Sequence, residues 1–303
     1  IKTLADGILE NPFLANLYSV KRIFLPNFKS LALMHRCHLT QPNHQTNILA
    51  HISIVYILFA VSRIRLEVCI DSLESAINAI RGGAHEIEVC SSLTEGGLTP
   101  SAGLITEITK INVMIRCRGG ADFCYTEHEI STMLADIALF KEMPIDRFVF
   151  GALTDDKEVD VDTCLRVISA ASPIPLTFHR AFDLCGNPEI SIQKLVNLGF
   201  DRLLTSGQQG SAVELNAVDL IRRLHQKYSD KIEIMPGSGV NSGNVAVFVA
   251  MGCTIVHSSC KKRRSGGYVT NDLGMGSTEM FVTDENIVRD MKLCMDTSKE
   301  NQN

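Results

Sequence analysis

Two short runs, Glu67-Val68-Cys69 and Glu88-Val89-Cys90, each set a carboxylate and a thiol two residues apart, and they recur at a separation of 21 residues (88−67 and 90−69). Thiolates are soft ligands. With the imidazole of His257 nearby they suit Cu(I) or another soft ion, whereas carboxylates alone suit a hard one. Zn²⁺ competes for the same donors, but its structural sites normally take four ligands and only Cys69, Cys90 and His257 are expected to converge. The plainer alternative is that Cys69 and Cys90 are small buried hydrophobes, and no C-x-x-C pair argues against it.

A second group could handle anions. Arg116 and Arg118, followed by Gly119-Gly120, are expected on the inward side of a strand, with Glu67 and Glu88 as partners. They form either a structural ion-pair network or a fork for carboxylate or phosphate. Gly237 and Gly239 in Pro236-Gly237-Ser238-Gly239, with Ser258 and with Thr205 of Thr205-Ser206-Gly207, add backbone N–H and hydroxyl donors of the kind that cradle a phosphate. In Thr177 to Asp183, His179 is a candidate acid or base that Asp183 could orient, or else a satisfied core histidine. Glu67, Glu88 and Arg116 complete the catalytic candidates of an enzyme acting on a small phosphorylated or carboxylated metabolite.

The elements that must position these residues alternate from residue 65 onward. Strand-like runs are expected at Leu66 to Ile70, Glu86 to Cys90, Val113 to Cys117, Arg147 to Phe150, Leu176 to His179, Arg202 to Thr205, Ile232 to Met235 and Thr254 to His257. Amphipathic helices separate them, and this alternation implies a parallel sheet. The first helix is expected to start at Asp71 with Glu74, to bury Leu73, Ala76, Ile77 and Ile80, and to end at Gly82-Gly83. Thr126 with Glu129, Ser211 with Glu214 and Asn187-Pro188 are further helix starts, and Ile287, Val288, Met291 and Cys294 mark a closing helix. Eight such units make a TIM-type (β/α)₈ barrel. A doubly wound sheet would show a glycine-rich turn after its first strand, where this chain has Cys69-Ile70-Asp71-Ser72. Alternation along the first strand turns Leu66, Val68 and Ile70 to the helices and Glu67 and Cys69 inward.

The expected domains are an N-terminal extension over 1–64, disordered or an artefact of gene assignment with Met34 available as an internal start, a barrel over 65–296 and a tail over 297–303. The apolar run Ile48 to Val61 is shorter than the roughly 20 residues of a spanning helix; read from Met34 it imitates a signal peptide. A net charge of −5, from 29 Lys+Arg against 34 Asp+Glu, provides no global field for nucleic acid or an anionic membrane, so neither is an expected partner. The 10 cysteines show no dense framework, which favours reduced thiols in the cytoplasm. Lys261-Lys262-Arg263-Arg264 reads either as a nuclear address or as a solvated lid over the site.

Seven motifs in order, Leu66-Glu67-Val68-Cys69, Glu95-Gly96-Gly97 with Thr99-Pro100-Ser101, Met114-Ile115-Arg116, Phe150-Gly151-Ala152-Leu153, Thr177 to Asp183, Leu204-Thr205-Ser206-Gly207 and Met235-Pro236-Gly237, resemble the CutC copper homeostasis family from residue 65 to about 295. The resemblance implies a cytoplasmic TIM-type barrel, a homo-oligomer (dimer or tetramer), and Cu(I) binding for copper buffering or delivery. The family's proposed copper cysteines fall on Cys69 and Cys90. Two departures stand out: Cys117 where the family usually has proline, and Ser238 where a third glycine is common. The resemblance implies no catalysed reaction and does not extend to residues 1–64.

Overall fold

The computed structural model describes residues 64–108, 111–264 and 280–300. All of the expected extension over 1–64 except Ile64, including Ile48 to Val61, lies outside the described residues, as does the end of the expected tail. The chain alternates strand and helix: β1 (Arg65–Ile70), α1 (Leu73–Gly82), β2 (Glu86–Val89), α2 (Ala102–Thr106), β3 (Ile111–Met114), α3 (Glu127–Phe140), β4 (Arg147–Phe150), α4 (Val161–Ala171), β5 (Leu176–Phe178), α5 (Pro188–Leu198), β6 (Arg202–Thr205), α6 (Leu215–Tyr228), β7 (Glu233–Pro236), α7 (Ala246–Met251), β8 (Ile255–Ser258) and, after a two-stranded ribbon, α8 (Glu285–Glu300). All eight barrel strands are parallel, in the order β7-β6-β5-β4-β3-β2-β1-β8. With β7 lying alongside β8, the sheet closes into the expected (β/α)₈ barrel. No described helix is long and apolar enough to cross a membrane.

Local chemistry explains most helix ends. Thr126 and Glu129 form a reciprocal capping box at α3, and Asn187 accepts from Glu189 and Ile190 N–H ahead of Pro188 in α5, which satisfies donors that the first turn leaves orphaned. Two expectations need correction. The cap of α1 is Ser72, which accepts from Ser75 N–H, while Asp71 instead accepts from Leu93 N–H at 3.0 Å in the next loop. Nor does α1 bury its large residues: Leu73, Ile77 and Ile80 are exposed, and Ser75, Ala76, Ala79 and Gly82 face inward. A Cβ at Gly82 would lie 2.5 Å from Val288 Cβ, so α8 packs too close to α1 for anything larger.

Between strands and helices lies the apolar core, with Leu66, Val68, Ile70, Phe148, Phe150 and Phe178 fully buried. Inside the barrel, Cys90, Met114 and Val149 form one small apolar layer and Leu204, Met235 and Ile255 another. The remaining interior is polar. At the N-terminal end Arg202, 1% exposed, donates to Glu233 at 2.8 Å, to both oxygens of Glu86 at 2.7 and 3.2 Å, and to Glu67 at 3.3 Å. Asn112 joins Glu67 to Glu86, and Arg65 joins Glu86 to Glu233. This corrects the expected pairing of Glu67 and Glu88 with Arg116 and Arg118. A buried carboxylate takes the cation that the barrel stagger sets beside it, and for Glu67 that cation is Arg202.

The basic run after β8 is part of the ribbon: Lys261–Arg263 (β9) pairs antiparallel with Phe281–Thr283 (β10). Lys262 binds Asp284 and Arg264 binds Glu74.

Candidate functional site

The C-terminal end of the strands holds a cavity of about 510 Å³ lined mainly by residues of β1, β2, β3, β6 and β8 and of the loops after β2, β3, β5, β7 and β8, among them Cys69, Glu88, Arg116, His179 and His257. At its inner wall the Cys69 thiol, the Glu88 carboxylate and the His257 ring present ligand atoms that all lie within 4.8 Å of one another, every one of the three residues buried. The strand register produces this cluster. Glu67 pairs with Glu86 and Cys69 with Glu88, an offset of 19 (86−67 and 88−69), and β8 brings His257 beside Glu67.

That register also corrects the 21-residue argument. Cys90 does not sit opposite Cys69 but two residues beyond Cys69's partner, where its Sγ lies 3.5 Å from Glu88 Oε2 in the apolar layer with Met114 and Val149. Burial, and then the charge of Glu88, push the Cys90 thiol well above its ordinary range.

Glu67 links the two ends of the barrel. Its Oε2 is held from below by Arg202 and Asn112, and its Oε1 lies 2.8 Å from His257 Nδ1. A carboxylate at Nδ1 places a proton there and turns Nε2 toward Glu88, 3.7 Å away. This carboxylate–histidine arrangement commonly orients an imidazole for a metal. Burial works against a charge on His257 but is outweighed by Cys69, Glu88 and Glu67, so its pKa rises well above the ordinary value. Burial likewise lifts Glu88 to about 7, with His257 opposing and Glu67 reinforcing the rise. Glu88 Oε1 has no hydrogen-bond partner among the described residues.

Arg116 is buried across the cavity and gives its guanidinium to backbone carbonyls, Nη1 to Glu95 at 3.0 Å and to Gly97 at 3.2 Å, and Nη2 to Gly120. His179 is 3% exposed, and its Nδ1 accepts from Ala181 N–H at 3.1 Å. Asp183 does not orient His179. Its carboxylate instead gathers the loop after β6, accepting from Thr205 Oγ1 at 2.5 Å, Ser206 N–H and Oγ–H, and Gln208 N–H, besides Arg180.

The remaining anion candidates divide. Arg118 is not among the residues lining the cavity; it binds Glu129 and Asp122 and stacks over Tyr125. Thr205 is fixed by Asp183 and receives Gly207 N–H. Ser258 Oγ donates to Val240 at 2.8 Å, tying the β8 end to the β7 loop. Gly237 is a packing glycine, since a Cβ there would lie 2.6 Å from Leu204. Gly239 lines the cavity at φ +76°, a left-handed conformation in which glycine is unstrained. Ser238, also left-handed at φ +74°, holds Gly210 and Ala212 to the β7 loop.

Sequence reasoning missed Arg202 and Asn112. The signal was available in the period of two: Arg202 shares its parity with Leu204, which lies inside the barrel, so it too had to point inward.

The profile of the CutC family matches residues 64–262. A copper homeostasis protein cutC homolog of Homo sapiens is 42% identical over 221 residues, covering 70% of this chain and 80% of the relative. The homolog of that name in Caenorhabditis elegans is 39% identical and covers 72% and 88%. A crystal structure of a CutC protein from Streptococcus agalactiae superposes with a TM-score of 0.61 at 32% identity, over 65% of this chain and 98% of that one.

Proposed function

The chain belongs to the CutC family, and from that premise we propose that it serves copper homeostasis by holding one Cu(I) at the C-terminal rim of the barrel, for buffering or delivery. The observation that carries this reading is the buried convergence of Cys69, Glu88 and His257 within 4.8 Å, with Glu67 fixing the ring of His257. Cys69 and His257 supply the soft donors, and Cys90, beside Glu88, is the second sulfur. Glu88 is the hard member of the set and serves as a neighbouring acid, not a preferred Cu(I) ligand. The enzymatic alternative draws less support, because His179 and Asp183 form no acid–base pair and the Arg118 guanidinium is spent elsewhere. The described cysteines are all free thiols, in keeping with a reducing cytoplasm, and homo-oligomerisation as a dimer or tetramer belongs to the same proposal.

Anaerobic Cu(I) competition against a chelator tests the assignment. Wild type should take up one equivalent, Cys69→Ser and His257→Phe should lose tight binding, and Cys90→Ser should weaken it. Cys164→Ser, on α4, is the control. Equal affinity in all five proteins would place copper elsewhere; loss in Cys69→Ser with none in Cys90→Ser would leave Cys90 as packing.

A further inference from the structure

The same cavity holds a cation without a counter-charge. Arg116 is 5% exposed, its bonded partners are the neutral carbonyls of Glu95, Gly97 and Gly120, and no carboxylate among the described residues lies within ion-pair distance. A guanidinium has five N–H donors in a rigid fork. Three are used here, two on Nη1 and one on Nη2, which leaves Nε–H and one Nη2–H without a partner among the described residues. Buried charge of this kind is unfavourable unless something completes it.

His179 adds an independent sign. Because its Nδ1 accepts from Ala181 N–H, the neutral ring carries its proton on Nε2, and that buried Nε2 has no hydrogen-bond partner among the described residues. Phe123 touches both residues, its centroid 4.9 Å from that of His179 and 4.9 Å from Arg116 Cζ. Both residues line the cavity together with Phe123.

We propose that this cavity binds a small oxyanion, a carboxylate or a phosphate, through the free edge of Arg116 and the Nε2–H of His179, the two residues that Phe123 contacts. Either group accepts hydrogen bonds from both donors and supplies the negative charge that Arg116 lacks. Burial, and then Arg116 itself, keep His179 neutral by lowering its pKa to about 3, so it serves as a hydrogen-bond donor and not as a cation. The inference does not rest on the copper reading, whose ligands come from β1, β2 and β8.

The test is calorimetric titration of the full, metal-free chain with inorganic phosphate and separately with malonate, in a buffer without other oxyanions. Saturable binding of one equivalent of either is expected, and the one preferred identifies the headgroup. Arg116→Lys should weaken it about tenfold or more, because lysine lacks the planar fork. His179→Phe keeps an aromatic ring and removes the donor; it should weaken binding too, and it decides the matter if Arg116→Lys fails to fold. Arg118→Lys, outside the cavity, should bind as wild type. Absence of saturation by both anions at millimolar concentration, or full affinity in both Arg116→Lys and His179→Phe, would overturn the proposal.

Discussion

The two ends of the barrel bury charge in opposite ways. At the N-terminal end Arg202 and Arg65 answer Glu67, Glu86 and Glu233, and Asn112 and Thr254 take up further carboxylate oxygens. At the C-terminal end, among the described residues, Arg116 has only carbonyls, and Glu88 Oε1 and His179 Nε2 have no partner. Polar groups taken out of water are costly unless paired, so the closed network reads as structure and the open one as a place prepared for a ligand. This matches the general division of labour in such barrels, where chemistry gathers at the C-terminal face. Glu67 belongs to both ends, anchored below and orienting His257 above.

The comparison breaks most directly at Arg202. Arg202→Met should destabilise the chain by about 3 to 5 kcal/mol in urea unfolding, since it removes the buried cation that Glu67, Glu86 and Glu233 share. A loss below about 1 kcal/mol would mean that the N-terminal network is not compensating charge.

Acid should expose the same contrast next. The fork of Arg202 outweighs burial and holds Glu86 at about 2 against its ordinary 4.5. A depressed carboxylate pKa stabilises the fold above the unfolded value, and that contribution, roughly 3 kcal/mol, is lost as pH falls from about 5 toward 2. His179 has the same sign at higher pH. With its pKa lowered from 6.5 to about 3, the unfolded chain binds more protons in between, so stability falls as pH drops below 6.5. Glu88, lifted to about 7, contributes with the opposite sign between about 7 and 4.5, so the check is the difference between each variant and wild type: His179→Phe should remove a loss of stability that sets in below pH 6.5, and Glu86→Gln one that sets in below about pH 5. A pH dependence unchanged in His179→Phe or in Glu86→Gln would contradict the corresponding assignment.

A smaller effect sharpens the picture at the open end. A Cβ on Gly151 would lie 2.6 Å from His179 Nδ1 and 3.2 Å from the Ala181 Cβ. Gly151→Ala should cost about 1 to 3 kcal/mol through overpacking and displace the His179 ring. The displacement should appear as a changed imidazole resonance; an unshifted ring would show that the loop yields instead.

The smallest effect is expected at Arg118. Its ion pairs with Glu129 and Asp122 are partly solvated, so Arg118→Ala should change stability by no more than about 1 kcal/mol. A loss as large as that of Arg202→Met would erase the distinction between a rim arginine and an interior one.

How much of this was legible depends on the range of the interaction. All eight strands were readable because alternating apolar residues and turn signals are local, and Arg147–Phe150 and Arg202–Thr205 fell at their expected bounds. The capping box at Thr126 was readable for the same reason. The buried face of α1 was not, because large apolar residues fit the amphipathic pattern better than the small ones that close contact with α8 demands. The site was legible as a set of residues but not as a set of partners: Cys69, Glu88, His257, Arg116 and His179 all line one cavity, yet most of the pairings drawn among candidates differ.

By itself the sequence determined the (β/α)₈ architecture, the inward parity of Glu67 and Cys69, and the family signature, since each is written in spacing along one chain. Only the tertiary structure decided that Cys69 faces Glu88 instead of Cys90, that Glu67 takes Arg202 and His257, and that Arg116 meets backbone carbonyls and no carboxylate among the described residues. The physical reason is stagger. Closing a sheet into a barrel shifts each strand against the next, and the partner of a buried charge is fixed by that shift, which no period within a single strand contains.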